Sequence, residues 1–192
     1  MVRTYLFTKP QSLGQEFIDK CICFFPDWRK EQMLSFKFLQ GQIENAVSYL
    51  LLVKALKDLA LFNGMPRFEY NEYGKPFLQN YPGLFFSLSH CKNGIACVLS
   101  DKNVGIDIEA VERKTDERLI RYACCDREYR EIFSSSDPAQ TFMEYWTKKE
   151  ALVKYLGTGI NTATIKDILS RSDVKISTQI VDGCVVSTCL PL

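Results

Sequence analysis

The stretch "LFFSLSHCKNGIACVLSDKNVGIDIE", residues 84–109, carries the fold in its punctuation. Three apolar, β-branched runs are separated by short polar links, so the spacing predicts strands over 84–90, 94–100 and 104–109. Asn93-Gly94 is a strong hairpin signal, because both central residues of a type I′ turn need positive φ. Asp101-Lys102-Asn103 supplies a second turn, and the three strands then read as a meander. Its last strand ends on two acids at i, i+2. Alternation places Ile106 and Ile108 on one face and Gly105, Asp107 and Glu109 on the other. Neighbouring carboxylates repel, and burying them is costly unless something positive lies between them. Two readings stay open: the solvated face of an edge strand, or part of a site that meets a cation.

Outward from this core, residues 1–8 read as a short strand, followed by a turn at Pro10. Helical apolar spacing runs from Glu31 to about Phe62, with Gly41 a candidate divider. Residues 63–76 are rich in turn signals, Asn63-Gly64 and Gly74-Lys75-Pro76 above all. A helical pattern over 116–133 is weakened at Cys124-Cys125 and broken by "SSSDP". The next helix has Asp137 as N-cap, Pro138 at its first position and Gly157 as its stop. The segments "VKISTQIV" and "CVVSTCL" alternate enough for a terminal hairpin around Asp182-Gly183. No strong internal repeat is visible. Helices and strands mixed in this order, with short links, point to an α+β protein with antiparallel sheets.

With 192 residues, 46% of them hydrophobic, the chain has apolar mass for a sizeable core, and its net charge of +1 argues against a nucleic-acid partner. The N-terminus lacks a signal-like apolar run, and "VSYLLLVKALKDLALF" is too interrupted by charge to span a bilayer. These features suggest a soluble, cytoplasmic protein with no membrane partner. Eight cysteines without a C-x-x-C pair read as buried reduced thiols. His90 is the single histidine, so no two-histidine zinc site can form within the chain.

The helix "PAQTFMEYWTKKEALVKYLG" places Phe142, Tyr145, Trp146, Leu152, Val153 and Leu156 on one side, with Lys149 in the middle of that stripe. Glu150 and Lys154 sit one turn apart on its shoulder. Alone they are an ordinary surface pair. Lys149 is what that reading leaves unexplained, since a lysine centred on a buried face must snorkel or meet a fixed anion. A polyanionic ligand at this helix would account for all three charges. Asp107, Glu109 and Glu150 are hard oxygen donors of the kind that suit Mg²⁺, and Lys149, Lys154, Lys75 and His90 are donors for phosphates. There is no P-loop and no G-x-G-x-x-G.

"GIDIE" at 105–109 followed by "WTKKEALVKYLGTGI" at 146–160 resembles the paired signature of the 4′-phosphopantetheinyl transferases, and "YGKP" (73–76) and "FSLSH" (86–90) agree with it. The length is similar to the longer, surfactin-synthetase-activating type, which implies two similar lobes in one chain, here 1–103 and 104–192, and a monomer. The resemblance implies transfer of the phosphopantetheine arm of coenzyme A to a serine of an apo acyl or peptidyl carrier protein, releasing 3′,5′-ADP. Carried over by position, Asp107, Glu109 and Glu150 would hold Mg²⁺, and Lys154 would contact the phosphate under attack, with Lys149 supporting the same charge. Ser89 and His90 would bind coenzyme A phosphates, and Lys75 and Pro76 would line the adenine end. Glu150 is the candidate base that takes the serine proton; Glu128 is a second candidate, or a solvated helix acid. Trp146 would pack the helix onto the sheet.

The chain departs from the pattern twice. Glu44 lies where longer relatives place an arginine for the 3′-phosphate, leaving Arg29, Lys30 or Lys37 as substitutes, and Cys91 replaces a serine after His90. Glu44 also keeps open a second reading, a non-catalytic module that binds coenzyme A or a carrier protein on the same fold. The third reading is an α/β domain whose acids are surface decoration.

Overall fold

A computed structural model describes residues 1–111, 116–159 and 165–192. Strand β1 (Val2–Thr8) leads into helices α1 (Gln15–Phe24), α2 (Asp27–Leu34) and α3 (Leu39–Asp58). A small hairpin follows, β2 (Phe68–Tyr70) and β3 (Pro76–Leu78), and then β4 (Phe85–Cys91) and β5 (Gly94–Ser100). The second half runs β6 (Gly105–Ala110), α4 (Glu117–Ala123), α5 (Asp126–Ser134), α6 (Pro138–Leu156), β7 (Val174–Val181) and β8 (Cys184–Pro191). No helix among the described residues is long and apolar enough to cross a membrane.

The antiparallel sheets have the orders β1-β5-β4 and β6-β8-β7, with β2-β3 as a separate ribbon. The predicted α+β class holds. The meander does not: β6 leaves its two predecessors and pairs with β8, placing Asp107 opposite Ser187. What draws β6 away is its apolar face. Ile106 and Ile108 are 0% and 1% exposed and pack with Ala96 and Val98 of β5 and Val186 of β8, so the two sheets share one core face to face. Each such side chain contributes roughly 1.5–3 kcal/mol on burial. The Asn93-Gly94 hairpin exists, but its two-residue link is Lys92-Asn93, and neither Asn93 nor Gly94 has positive φ. A Cβ on Gly94 would lie 2.6 Å from Ile108, so this glycine serves the approach of the second sheet. In the terminal hairpin, Asp182 (φ 49°) and Gly183 (φ 76°) form the link between paired Val181 and Cys184, as a primed turn requires.

Two helix boundaries move. The predicted helix from Glu31 is α2 and α3, and the break falls at residues 35–38; Gly41 lies inside α3, where Phe36 folds over it, 3.0 Å from a hypothetical Cβ. The pattern over 116–133 is α4 and α5, parted at Cys124-Cys125. All eight cysteines are free thiols.

The topology repeats. Each half runs strand, three helices, hairpin, with the β2–β3 ribbon inserted before the hairpin of the first half, and the first strand pairs with the second arm of the hairpin. The repeat is also in the sequence: "LLLVKAL" (50–56) in α3 matches "EALVKYL" (150–156) in α6. Both helices bury the same positions, Ile43, Tyr49, Leu52 and Val53 against Met143, Lys149, Leu152 and Val153. This repeat corrects the reading of a chain without one.

Candidate active site

The cleft lies where β4, the edge of the first sheet, meets β6, and α6 closes it. Ser87 Oγ accepts from the Ile106 amide at 3.1 Å, so β4 satisfies a backbone donor on the free edge of β6. Gly105 lets α6 come down on β6: a Cβ there would lie 2.0 Å from the Ala151 carbonyl oxygen and 2.5 Å from the Tyr155 nitrogen. That approach delivers Lys154 to Asp107.

Lys154 Nζ donates to Asp107 Oδ1 and to Ser89 Oγ, and Ser89 Oγ donates to the same Asp107 oxygen, all at 2.7 Å. Asp107 is 4% exposed and its Oδ2 is buried without a partner. An ionised oxygen in that state is destabilised unless a further positive group reaches it. Burial, and then the charges of Asp107 and Glu109, raise the Glu150 carboxyl to about 7, although Lys154 pulls the other way. Ser89, Asp107, Glu109, Glu150 and Lys154 are therefore electrostatic neighbours.

Their donor chemistry fits a divalent cation, with hard oxygens, one of them orphaned, and repulsion that Lys154 alone does not cancel. The ligands are not preassembled, however: among the described residues no three His, Cys, Asp or Glu side chains stand together in a metal-holding group. The other oxygen of Asp107 is already committed to Lys154 and Ser89.

Lys149 is not in this cleft, which corrects its expected role at the phosphate. It is 0% exposed, and its ammonium donates to Glu128 Oε2 (2.7 Å) and to the carbonyls of Ala123 (2.7 Å), Ile165 (2.9 Å) and Lys166 (2.9 Å). Glu128 is 1% exposed and accepts from the Cys125 amide at the start of α5. It is neither a solvated acid nor placed to take a proton from a substrate. Lys149 does meet a fixed anion, and that anion is Glu128 rather than a ligand.

Lys75 crosses between the halves. Its Nζ donates to Asn103 Oδ1 (2.8 Å) and to the Tyr155 carbonyl (3.0 Å), and burial lowers it to about 8. Asn71 reaches the Gly157 carbonyl from the same loop at 2.8 Å. A cavity of about 250 Å³ is lined by Lys75, Pro76, Leu88 and Lys154, among others. It shares Pro76 and Leu88 with a second, of about 230 Å³, that holds His90, Glu44 and Arg29. In this second cavity His90 Nδ1 stands 3.3 Å from Glu44 Oε2.

Arg29 was only an incidental candidate from sequence. It is 2% exposed, bonded to Gln32 and to the Asn45 carbonyl, and lies 4.3 Å over the Tyr49 ring. No ion pair with a carboxylate is formed among the described residues, and burial lowers it to about 10. Three buried polar atoms without partners, Arg29 Nε, Asn45 Oδ1 and Ser48 Oγ, belong to residues lining this cavity. Trp146 packs beside Phe142 in the α4–α6 core, as expected.

Fold and cleft together define a duplicated α+β protein with an acid–lysine cleft at the junction of its halves. Residues 103–183 match the model of the 4′-phosphopantetheinyl transferase superfamily. A 4′-phosphopantetheinyl transferase of Bacillus subtilis is 26% identical over 179 residues, covering 91% of this chain and 79% of its own. 4′-Phosphopantetheinyl transferase AcpT of Salmonella typhimurium is 31% identical over 146 residues (74% of this chain, 73% of its own). 4′-Phosphopantetheinyl transferase Sfp of Bacillus subtilis strain 168 is 23% identical over 194 residues (97% and 86%). The chain belongs to the 4′-phosphopantetheinyl transferase superfamily.

Proposed function

We propose that this chain transfers the 4′-phosphopantetheine arm of coenzyme A to a serine hydroxyl of an apo carrier protein, in a Mg²⁺-dependent reaction that releases 3′,5′-ADP. The observation that carries the proposal is the Lys154–Ser89–Asp107 contact beside Glu150. Phosphoryl transfer asks a protein mainly for positioning and charge neutralisation, and this cleft offers both.

Asp107, Glu109 and Glu150 would hold the Mg²⁺, which supplies charge neutralisation for the diphosphate when bound. Lys154 holds its ammonium at the mouth of the acid cluster, where it meets the phosphate under attack, and Ser89 donates beside it. Glu150 is the group that would take the serine proton, directly or through a metal-bound water. The two cavities are neighbours that share Pro76 and Leu88 as walls, and coenzyme A would lie from Lys154 along them. Ser89 and His90 then face its phosphates, with Lys75 and Pro76 at its adenine end beside Phe36, Phe68 and Tyr70. The protein acts as a cytoplasmic monomer, with lobes 1–103 and 104–192 supplying the nucleotide cavity and the acid cluster respectively.

The His90–Glu44 pair favours one competing reading, a non-catalytic module that binds coenzyme A or a carrier protein. Purified protein, coenzyme A, Mg²⁺ and a panel of apo carrier proteins separate the two by intact mass. Arm transfer that EDTA abolishes supports the transferase. Coenzyme A binding without transfer by any carrier supports the module.

A further inference from the structure

The buried Glu128–Lys149 pair occupies a position where the other half of the molecule has no ion pair. Glu128 is the third residue of α5 and Arg29 the third residue of α2, and each is almost fully buried. Lys149 lies four residues before Val153, and Tyr49 four before Val53. In the first half Arg29 lies against the Tyr49 ring, whose hydroxyl donates to the Pro66 carbonyl at 2.9 Å. The same topology therefore folds with an aromatic ring at the lysine position. Replacing a buried ion pair by apolar groups is often neutral or stabilising, so fold stability does not explain why this half keeps one.

The two halves differ at the next residue. After Tyr49 comes Leu50; after Lys149 comes Glu150. Lys149 fastens α6 to Ala123 at the end of α4 and to Ile165 and Lys166 beyond α6. On the other side of Glu150, the Ala151 carbonyl is pressed against Gly105. Glu150 is thus gripped between two fixed points, and the ammonium supplies one of them.

We infer that Glu128 and Lys149 are positioning residues that set Glu150 within reach of a divalent cation shared with Asp107. This rests on the metal role proposed for those carboxylates. It assigns Lys149 no contact with substrate.

Mn²⁺ binding to the whole chain, read by electron paramagnetic resonance without coenzyme A or carrier, tests it separately from catalysis. The neutral pair Glu128→Gln/Lys149→Met keeps the length of both side chains. Glu128→Asp keeps the charge pair but shortens it, in case the double variant does not fold. Each is assayed at a temperature where circular dichroism shows it folded. Groups bonded directly to metal ligands are worth about 10–100-fold in metal affinity; Glu128 and Lys149 act on Glu150 through the α6 backbone, so the Mn²⁺ dissociation constant should rise by the lower end, about tenfold, in the folded variants. Wherever transfer is measurable, kcat falls while KM for coenzyme A stays within threefold. Wild-type affinity in a folded variant overturns the inference, as does a wild-type chain that binds no Mn²⁺. A chain that binds Mn²⁺ and loses it in these variants, yet loads no carrier, upholds the inference and removes the transferase reading.

Discussion

Superposing the two halves by strand register shows what separates a scaffold from a site. Asp107 stands opposite Ser187, three residues into the second arm of its hairpin; Tyr5 holds the same place opposite Cys97. By the same count Phe7 corresponds to Glu109, and the helix repeat matches Leu50 to Glu150. The lysine survives in both: Lys154 meets a carboxylate at 2.7 Å, whereas Lys54 lies 5.7 Å over the Tyr5 ring and pairs with Asp58 on its own helix. All three acids of one half are aromatic or aliphatic in the other, so the architecture does not require them. What the fold needs is the apolar face of each strand and the "LVK" turn of each helix. The acids are an addition, and their repulsion adds to burial in raising Glu150.

The comparison breaks most visibly at the lysines. Lys154→Ala should lower the rate of carrier loading on the order of 10²–10³-fold, as expected for removal of a fixed donor to developing phosphate charge. Lys54→Ala should leave it within twofold, and equal losses would erase the distinction between the halves. Gly105→Ala comes next. The first half carries Arg3 at the matching register position, while a Cβ at 105 meets helix backbone. Overpacking of this kind should cost about 3 kcal/mol in denaturant unfolding, with metal affinity falling as α6 is pushed outward. An unchanged midpoint would mean that the helix does not need to lie so close.

Smaller, but specific in sign, is the pH dependence. The Glu150 carboxyl is raised from 4.5 to about 7 in the folded chain, which therefore binds more protons than the unfolded chain between those values. The stability this contributes is full below pH 4.5 and lost as pH rises through about 7. In metal-free buffer the melting temperature should fall from pH 5 to pH 8 more steeply in wild type than in Glu150→Gln, and Mg²⁺ should recover part of the loss. Identical slopes in the two proteins would contradict a raised Glu150 carboxyl. The smallest effect is expected at Glu44. Removing its charge with Glu44→Gln should lower KM for coenzyme A two- to fivefold, matching ~0.5–1 kcal/mol for a partly exposed charge pair. A rise in KM would instead make Glu44 a binding residue.

Much of this was legible in the sequence, and the failures have physical causes. Strand alternation put Asp107 and Glu109 on one face, and helical spacing put Glu150 beside Lys154; both depend only on local geometry. The sheet that β6 joins depends on the sequence-distant β8, and residues 84–109 read alone favour a meander. Lys149 was recognised as an anomaly because a buried cation needs an anion. Its partner, Glu128, lies on another helix, and sequence spacing carries no record of which helices touch. Arg29 was hidden for a similar reason: its packing on Tyr49 joins α2 to α3. The repeat was overlooked because only "LVK" and the pattern of buried positions persist between the halves.

The claim that the metal-holding acids belong to one half alone is tested most directly by an anomalous difference map from crystals grown with Mn²⁺ and coenzyme A. The account predicts a single metal peak per chain, shared by Asp107 and Glu150, with the coenzyme A diphosphate between it and Lys154. A peak elsewhere, or a diphosphate bound away from Lys154, would contradict it.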